Sequence, residues 1–479
     1  MKKTGDEYYD SEEFHDLLNE YEQAVNTGEP VFMDADELAE IADYYQITGN
    51  DELADKAITL ALSLSPGAIA PLTYKIHEAL YNGDTEMARV YLNQIVEKEE
   101  PDYVYNQAEI LIAEGRIDEA DLYLRDELKK LPPEECQDFV VDVANIFTDY
   151  GISEKAMEWM GRAMPEDTPE FKELMARTLF GLGKYKDSEK LFNELIDDNP
   201  FSKYYWNALA SAQFMNEDYS NSIQSSEFAI AIDPNDADSI FAKANALYHL
   251  DNYEKANEYY QRYLELVPDD EHGMLHKGTC LINMGRIDEA VNVLTKAREL
   301  AEEVDDEGNT SPSLCEIYTE LGFAFNEQGK TDEALHCLGL ADTLDCDHSQ
   351  IEVVKGHVLL SAGRLKEADE CFSMAVENSS DKHLTIMRIA VSYFDNKHME
   401  TTYDILSTLY KTTPPDYKLG FAYMALCCLE MKKYDEFLAY LKIACQRNPM
   451  ECKQVLHHMF PADLDPVKYY DYVYSQLKK

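Results

Sequence analysis

The sequence predicts an all-α fold, a right-handed α-solenoid superhelix of about twelve helix-turn-helix repeats closed by capping helices. Three observations predict it. One residue pattern returns at an interval of 34, and apolar residues recur at helical spacing on both sides of a Gly-rich turn in each unit. The 479 residues also exceed the ~250–300 at which a single ordinary core stops growing, so the chain extends by repetition or by several domains.

Residues 176–200 show the unit. Ala176 is followed by Gly183, Tyr185, Ser188, Phe192, Leu195 and Pro200. Thirty-four residues on stand Ala210, Glu217, Tyr219, Ser222, Ser226, Ala229 and Pro234; the next copy reads Ala244, Asp251, Tyr253, Ala256, Tyr260, Tyr263 and Pro268. Extending the register gives twelve turns, at 49, 83, 115, 151, 183, 217, 251, 285, 329, 363, 397 and 432, eight of them Gly. Seven residues before each turn stands Ala or Gly in eleven units, Ile76 being the exception, and five residues after it Ala in eight. Small residues let two antiparallel helices approach closely, Gly takes the left-handed backbone that ends the first helix, and Pro ends the second. No such hairpin buries its apolar face alone, so neighbours must stack.

This order resembles the tetratricopeptide repeat family across roughly residues 35–449, and the acidic length is similar to that of long, uncharacterised bacterial members. Units turning at Lys397 and Lys432 are degenerate, with Thr402 and Phe437 in place of Ala. The expected organisation is a leader and cap helix over 1–34, repeats 1–8 over 35–300, an acidic insertion loop at 301–314 between two stacked arms, repeats 9–12 over 315–449, and capping helices over 450–479. Phe14, Leu17, Leu18, Tyr21 and Val25 mark the first cap. Val455–Phe460 and then Val467, Tyr470, Tyr474 and Leu477 mark two helices at the other end.

A balance of 42 Lys+Arg against 93 Asp+Glu, net −51, sets low expectations for nucleic acid and membrane partners. Residues 1–350 carry net −50 (26 basic, 76 acidic) and 351–479 net −1 (16 and 17), so the earlier units favour a basic partner if their acidity is more than a solvated face. No apolar run follows Met1-Lys2-Lys3, no stretch reaches a membrane span, and no Cys-x-x-Cys occurs; a reducing cytoplasm with the ten cysteines as small buried hydrophobes is expected.

Site chemistry is sparse. There is no Gly-x-Ser-x-Gly, phosphate-cradling Gly-x-x-x-x-Gly-Lys or His-Glu-x-x-His, so no catalytic residue and no cofactor is expected. Asp305, Glu307, Asn309 and Glu316 have part of a calcium-loop spacing but Thr310 stands where the bend needs Gly. His272 and His276 share a helical face without a third ligand, and Cys445, Cys452, His457 and His458 read as packing rather than a metal site.

What the resemblance implies about binding is more specific. First helices of family members line the concave surface ten, six, three and two residues before the turn. Here these positions bring Arg177, Phe180 and Gly181, then Asn207, Ser211, Phe214 and Met215, then Phe241, Asn245, Tyr248 and His249, and finally Leu275, Thr279, Ile282 and Asn283. Exposed apolar side chains interleaved with amides suit an extended peptide. The family's carboxylate clamp is not expected: Phe241 stands where its first Lys would be and His276 where an Asn would be, although Asn245 matches. The function expected is a non-catalytic protein-binding scaffold, with a client-holding assembly factor or an enzyme's regulatory subunit as the alternatives.

Overall fold

The computed structural model describes residues 9, 11–304, 310–461 and 463–477, and among them are 27 α-helices and no strand. The first, α1 (Glu12–Thr27), starts where Ser11 Oγ accepts the Phe14 amide at 3.2 Å and stops at left-handed Gly28. Its buried Phe14 and Tyr21 cover the first repeat. Twelve helix pairs follow, from α2 (Ala35–Ile47) with α3 (Asp51–Leu64) to α24 (Phe421–Glu430) with α25 (Tyr434–Arg447).

All twelve predicted turn residues have positive φ. Eight are Gly; the others, Glu217, Asp251, Lys397 and Lys432, hold φ between 59° and 66° although each has a Cβ. The hydrogen bonds are the same in both classes. Gly183 N–H donates to the Phe180 carbonyl and Lys184 N–H to that of Leu179, just as Lys432 donates to Leu429 and Lys433 to Cys428. Packing between the two helices overrides the local cost at these four positions.

Small residues on the first helix follow from close approach. A Cβ on Gly356 would come within 2.3 Å of the Phe372 ring. Where Ser188 replaces the usual Ala, its hydroxyl donates to the carbonyl of Ala176 at 2.8 Å, joining the two small-residue positions of one hairpin.

The chain divides into two compact units, Met1–Asp218 and Tyr219–Lys479, so that α12 (Lys203–Met215) belongs to the first and α13 (Tyr219–Ile232) to the second. The first unit has an N-terminal core and a larger one built on Trp159, whose indole N–H donates to buried Asp121 at 2.9 Å. In the second, the stack continues across the insertion, α17 (Ile287–Ala301) packing on α18 (Leu314–Glu327).

The C-terminal end differs from expectation in one respect: the helix starts at Pro449, at its first turn, and α26 (Pro449–Leu456) gives way to a 3-10 turn at His457–Met459. A second 3-10 turn, Pro466–Lys468, leads into α27 (Tyr469–Leu477). Buried Glu451 explains how the degenerate twelfth unit is fixed. Its carboxylate accepts the amides of Gly420 and Ala422 at 2.7 and 2.9 Å, capping α24 from the covering helix. Cys428, Cys445 and Cys452 lie in this core, but not every cysteine is a thiol. Cys315 and Cys346 are joined as a disulfide across a separation of 31 residues, which corrects the expectation of thiols throughout.

Candidate partner-binding surface

Within each unit first helices of successive pairs stand side by side, and their side chains form a wall. In the first unit α4 (Ile69–Tyr81) meets α6 (Pro101–Ala113) through His77 Nε2 on Glu109 at 2.9 Å and Asn106 Nδ2 on Thr73 at 2.6 Å. Tyr105 donates to Asp142 of α8 (Cys136–Asp149) at 2.9 Å. Arg177 of α10 (Pro169–Gly181) reaches Asn145 and Asp149, and Tyr205 donates to Glu173 at 3.3 Å.

This wall is strongly acidic. Asp43, Asp102, Glu109, Asp138, Asp142 and Glu173 stand around tyrosines, with the basic side chains His77 and Arg177 among them. Burial pushes the Asp142 carboxyl up, and the fields of Asp138 and Asp102 add to it although Tyr105 donates to the charged form. Glu173 is likewise raised by burial. Burial pulls the His77 imidazole down, yet the bond to Glu109 and the fields of Asp43 and Asp102 outweigh it and leave it raised. A cavity of about 400 Å³ opens in the wall between Arg177, Phe180, Tyr204 and Ser211.

The wall of the second unit is less charged. Asn283 donates to the Tyr248 hydroxyl at 3.2 Å, Ser361 to Asn396 at 3.0 Å, and Arg388 to Gln350 at 3.2 Å. Apolar side chains fill the spaces between: Phe323 meets the His357 ring edge-on, and Phe394 meets Tyr423. Two cavities lie along it, about 470 Å³ beside Tyr248, Thr279 and Glu320, and about 300 Å³ beside Phe323, His357 and Met387.

The sequence-predicted positions fall on these walls with different degrees of exposure. Arg177, Phe180, Ser211, Tyr248 and Thr279 border cavities, and Met215 is 47% exposed. Asn207 and Phe214 are half-buried on α12, and Asn283 is exposed. The charge of Arg177 is already answered by Asp149, so it is not a free cation. Leu275 is a correction: at 3% exposure it belongs to the core, because the ninth pair packs over it. Half-buried Ile282 packs against the same core.

Phe241 is wrapped by Tyr260, Tyr263, His272 and His276, while Asn245 accepts the Tyr260 hydroxyl at 2.6 Å. His249 stacks on Tyr219. The His272 and His276 Nε2 atoms are 3.1 Å apart, and burial holds His276 near 4, so it is neutral at neutral pH. Among the described residues no group of three or more His, Cys, Asp or Glu could hold a metal; Asp305, Glu307 and Asn309 lie outside the described residues. No helix among the described residues is long and apolar enough to cross a membrane.

Several wall residues were not foreseen. Phe323, His357 and Met387 keep the same register in later units and were legible by extending it. Asp142 and Glu320, nine residues before their turns, and Tyr204, thirteen before, lie outside that register and carried no signal.

Comparison with known proteins agrees with this geometry. Residues 174–237 match the family model for the tetratricopeptide repeat, and 215–297 match that for anaphase-promoting complex, cyclosome, subunit 3. A Dictyostelium discoideum protein, "Protein STIP1 homolog", is 26% identical over 165 residues, 29% of this chain and 29% of the relative, so the match spans under a third of that relative's length. Among solved structures, yeast Tom70 is 14% identical with a TM-score of 0.44, over 93% of this chain and 96% of its own. YrrB, described as a TPR protein with an unusual peptide-binding site, is 18% identical with a TM-score of 0.32, over 41% and 95%. The match to the tetratricopeptide repeat model thus lies inside a run of twelve helix pairs that share one turn geometry.

Proposed function

We propose that the chain is a non-catalytic scaffold that holds extended segments of partner proteins against the wall of first helices, and that the first unit selects basic segments. The observation that carries this reading is the composition of the first wall. Carboxylates from three successive first helices, α6, α8 and α10, stand among tyrosines; burial raises Asp142 and Glu173, and the fields of Asp138 and Asp102 add to the first. An arriving Lys or Arg relieves that repulsion and meets aromatic faces as well. The wall is formed before binding, so little ordering cost falls on the receptor. Nucleic acid and anionic lipid are disfavoured by the same charge. Eight of the ten cysteines being thiols supports a cytoplasmic setting.

The test is fluorescence anisotropy with a twelve-residue Lys-rich peptide and its Glu-rich counterpart, against the chain and against Asp138→Asn/Asp142→Asn/Glu173→Gln. The Lys-rich peptide should bind, weaken about three- to tenfold on the variant, and lose part of its salt dependence there. Equal binding to the variant, or preference for the Glu-rich peptide, would overturn the basic-segment reading.

A further inference from the structure

In the second unit one carboxylate stands apart. Glu320, in the middle of α18, lines the cavity of about 470 Å³ on the wall, together with Tyr248 of α14 (Ala237–His249), Thr279 of α16 (Glu271–Asn283) and Gln350 of α20 (His348–Ser361). Three other withdrawn carboxylates are answered by hydrogen bonds, Asp142 from the Tyr105 hydroxyl, Glu173 from Tyr205 and Glu451 from two backbone amides, while Asp395 has the fields of His357 and Lys397 against its burial. Glu320 has no hydrogen bond or ion pair among the described residues.

The groups around it offer no cation. Glu316 of the same helix is a second negative charge. Asp347 accepts the amides of Ser349 and Gln350, and His276 is a neutral ring. The Arg388 guanidinium is held on the Gln350 side-chain oxygen at 3.2 Å. Burial and the field of Glu316 push the Glu320 carboxyl up to about 7, and its charge adds to the burial that raises Tyr248. A wall that holds a half-buried acid unpaired is poised for a counter-charge from outside.

The neighbouring polar atoms decide which cation. The Thr279 hydroxyl donates to the Leu275 carbonyl at 3.0 Å and that of Thr319 to the Cys315 carbonyl at 2.9 Å, so each presents its oxygen only as an acceptor. A carboxylate and two hydroxyl oxygens match the three donors of an ammonium, whereas a guanidinium brings five in a fixed plane. The core residues Leu275 and Ile351 form the apolar floor of the cavity, beneath the path of a methylene stem.

From this arrangement we propose that the Glu320 cavity receives a single lysine side chain, carried on an extended segment of a partner protein, with its ammonium on the Glu320 carboxylate. The proposal rests on the first-helix wall being the binding surface, and adds to it one anchoring position of defined chemistry.

The experiment uses four N-acetylated twelve-residue peptides that are identical except for a central Lys, Arg, Nε-acetyl-lysine or norleucine, titrated at pH 7.5 into the full chain, Glu320→Gln and Thr279→Val. A fifth peptide, with a free N-terminus and central norleucine, separates an N-terminal ammonium from a side-chain one. The Lys peptide should bind about tenfold tighter than its acetyl-lysine and norleucine forms, with the preference falling to about twofold or less in Glu320→Gln. Thr279→Val should reduce the preference without abolishing it, and isothermal titration in buffers of different ionisation enthalpy should show proton release as the Lys peptide binds. Equal binding of all central residues, a preference for Arg or for the free N-terminus, or a Lys preference that survives Glu320→Gln would overturn the lysine site while leaving the wall as a peptide-binding surface. No binding of any peptide at about millimolar concentration would overturn both.

Discussion

The twelve turns allow an exchange experiment in which the sign of the effect is set by backbone geometry. Gly363 has φ of +74°, and a Cβ built there meets nothing within 4 Å. Gly363→Ala therefore introduces no clash and isolates the left-handed backbone. A Cβ in that region costs ~1–2 kcal/mol, while removing glycine's freedom from the unfolded chain returns ~0.4–1 kcal/mol. The net loss is about 0.5–1 kcal/mol. Lys432 stands at the equivalent turn with φ of 61°, so Lys432→Gly should gain a similar amount by the same arithmetic. A melting curve of so long a stack mixes many local transitions, and native-state amide exchange across the flanking helices is the better readout. About 1 kcal/mol corresponds to roughly fivefold in exchange rate, slower in the hairpin of Lys432→Gly and faster in that of Gly363→Ala. Faster exchange in Lys432→Gly, or no change in Gly363→Ala, would refute the claim that one left-handed turn geometry closes every hairpin.

Three further outcomes follow from buried groups. Gly356→Ala should destabilise its hairpin by about 2–3 kcal/mol, because the Phe372 ring lies 2.3 Å from the new Cβ; adding Phe372→Leu should recover part of this in denaturant titrations. Glu320 is raised to about 7 in the fold, so it holds a proton there at pH values where the unfolded chain has lost it, and stability falls as pH rises between about 4.5 and 7. Glu320→Gln should therefore stabilise the fold against local opening by about 3 kcal/mol at pH 8 and by little at pH 4.5. Asp121 behaves oppositely. Burial works against its charged form, but Arg125, Lys155 and the Trp159 indole hold it below the usual value, so its contribution is present above the unfolded pKa and is lost as pH falls through the folded one. Asp121→Asn should cost about 2–3 kcal/mol at pH 7 and much less near pH 3.

Much of the fold was legible because its signals are local and repeated. Turn position, the small residue seven before it and the Ala five after it recur in register, and even Glu217 and Lys432 were placed as turns by position rather than by residue type. The bond between Cys315 and Cys346 was not legible, since pairing depends on how α18 and the loop before α20 meet. The cap that Glu451 provides to α24 spans 31 residues in sequence and has no motif. For the binding surface, register located Phe180, Tyr248 and Thr279, but burial depends on the neighbouring pair, which is why Leu275 is covered and Glu320 is not paired.

Site-specific photo-crosslinking in the native cell tests the binding wall most directly. The crosslinking residue would replace Tyr204, Met215, Phe323 or Val391 on first helices, and exposed Val90, Leu122 or Met374 on second helices. The account predicts discrete protein adducts from the first-helix positions, with those at Tyr204 and Met215 reduced by added salt, and few from the second-helix positions. Adducts of equal yield on both faces, or confined to the second helices, would contradict it.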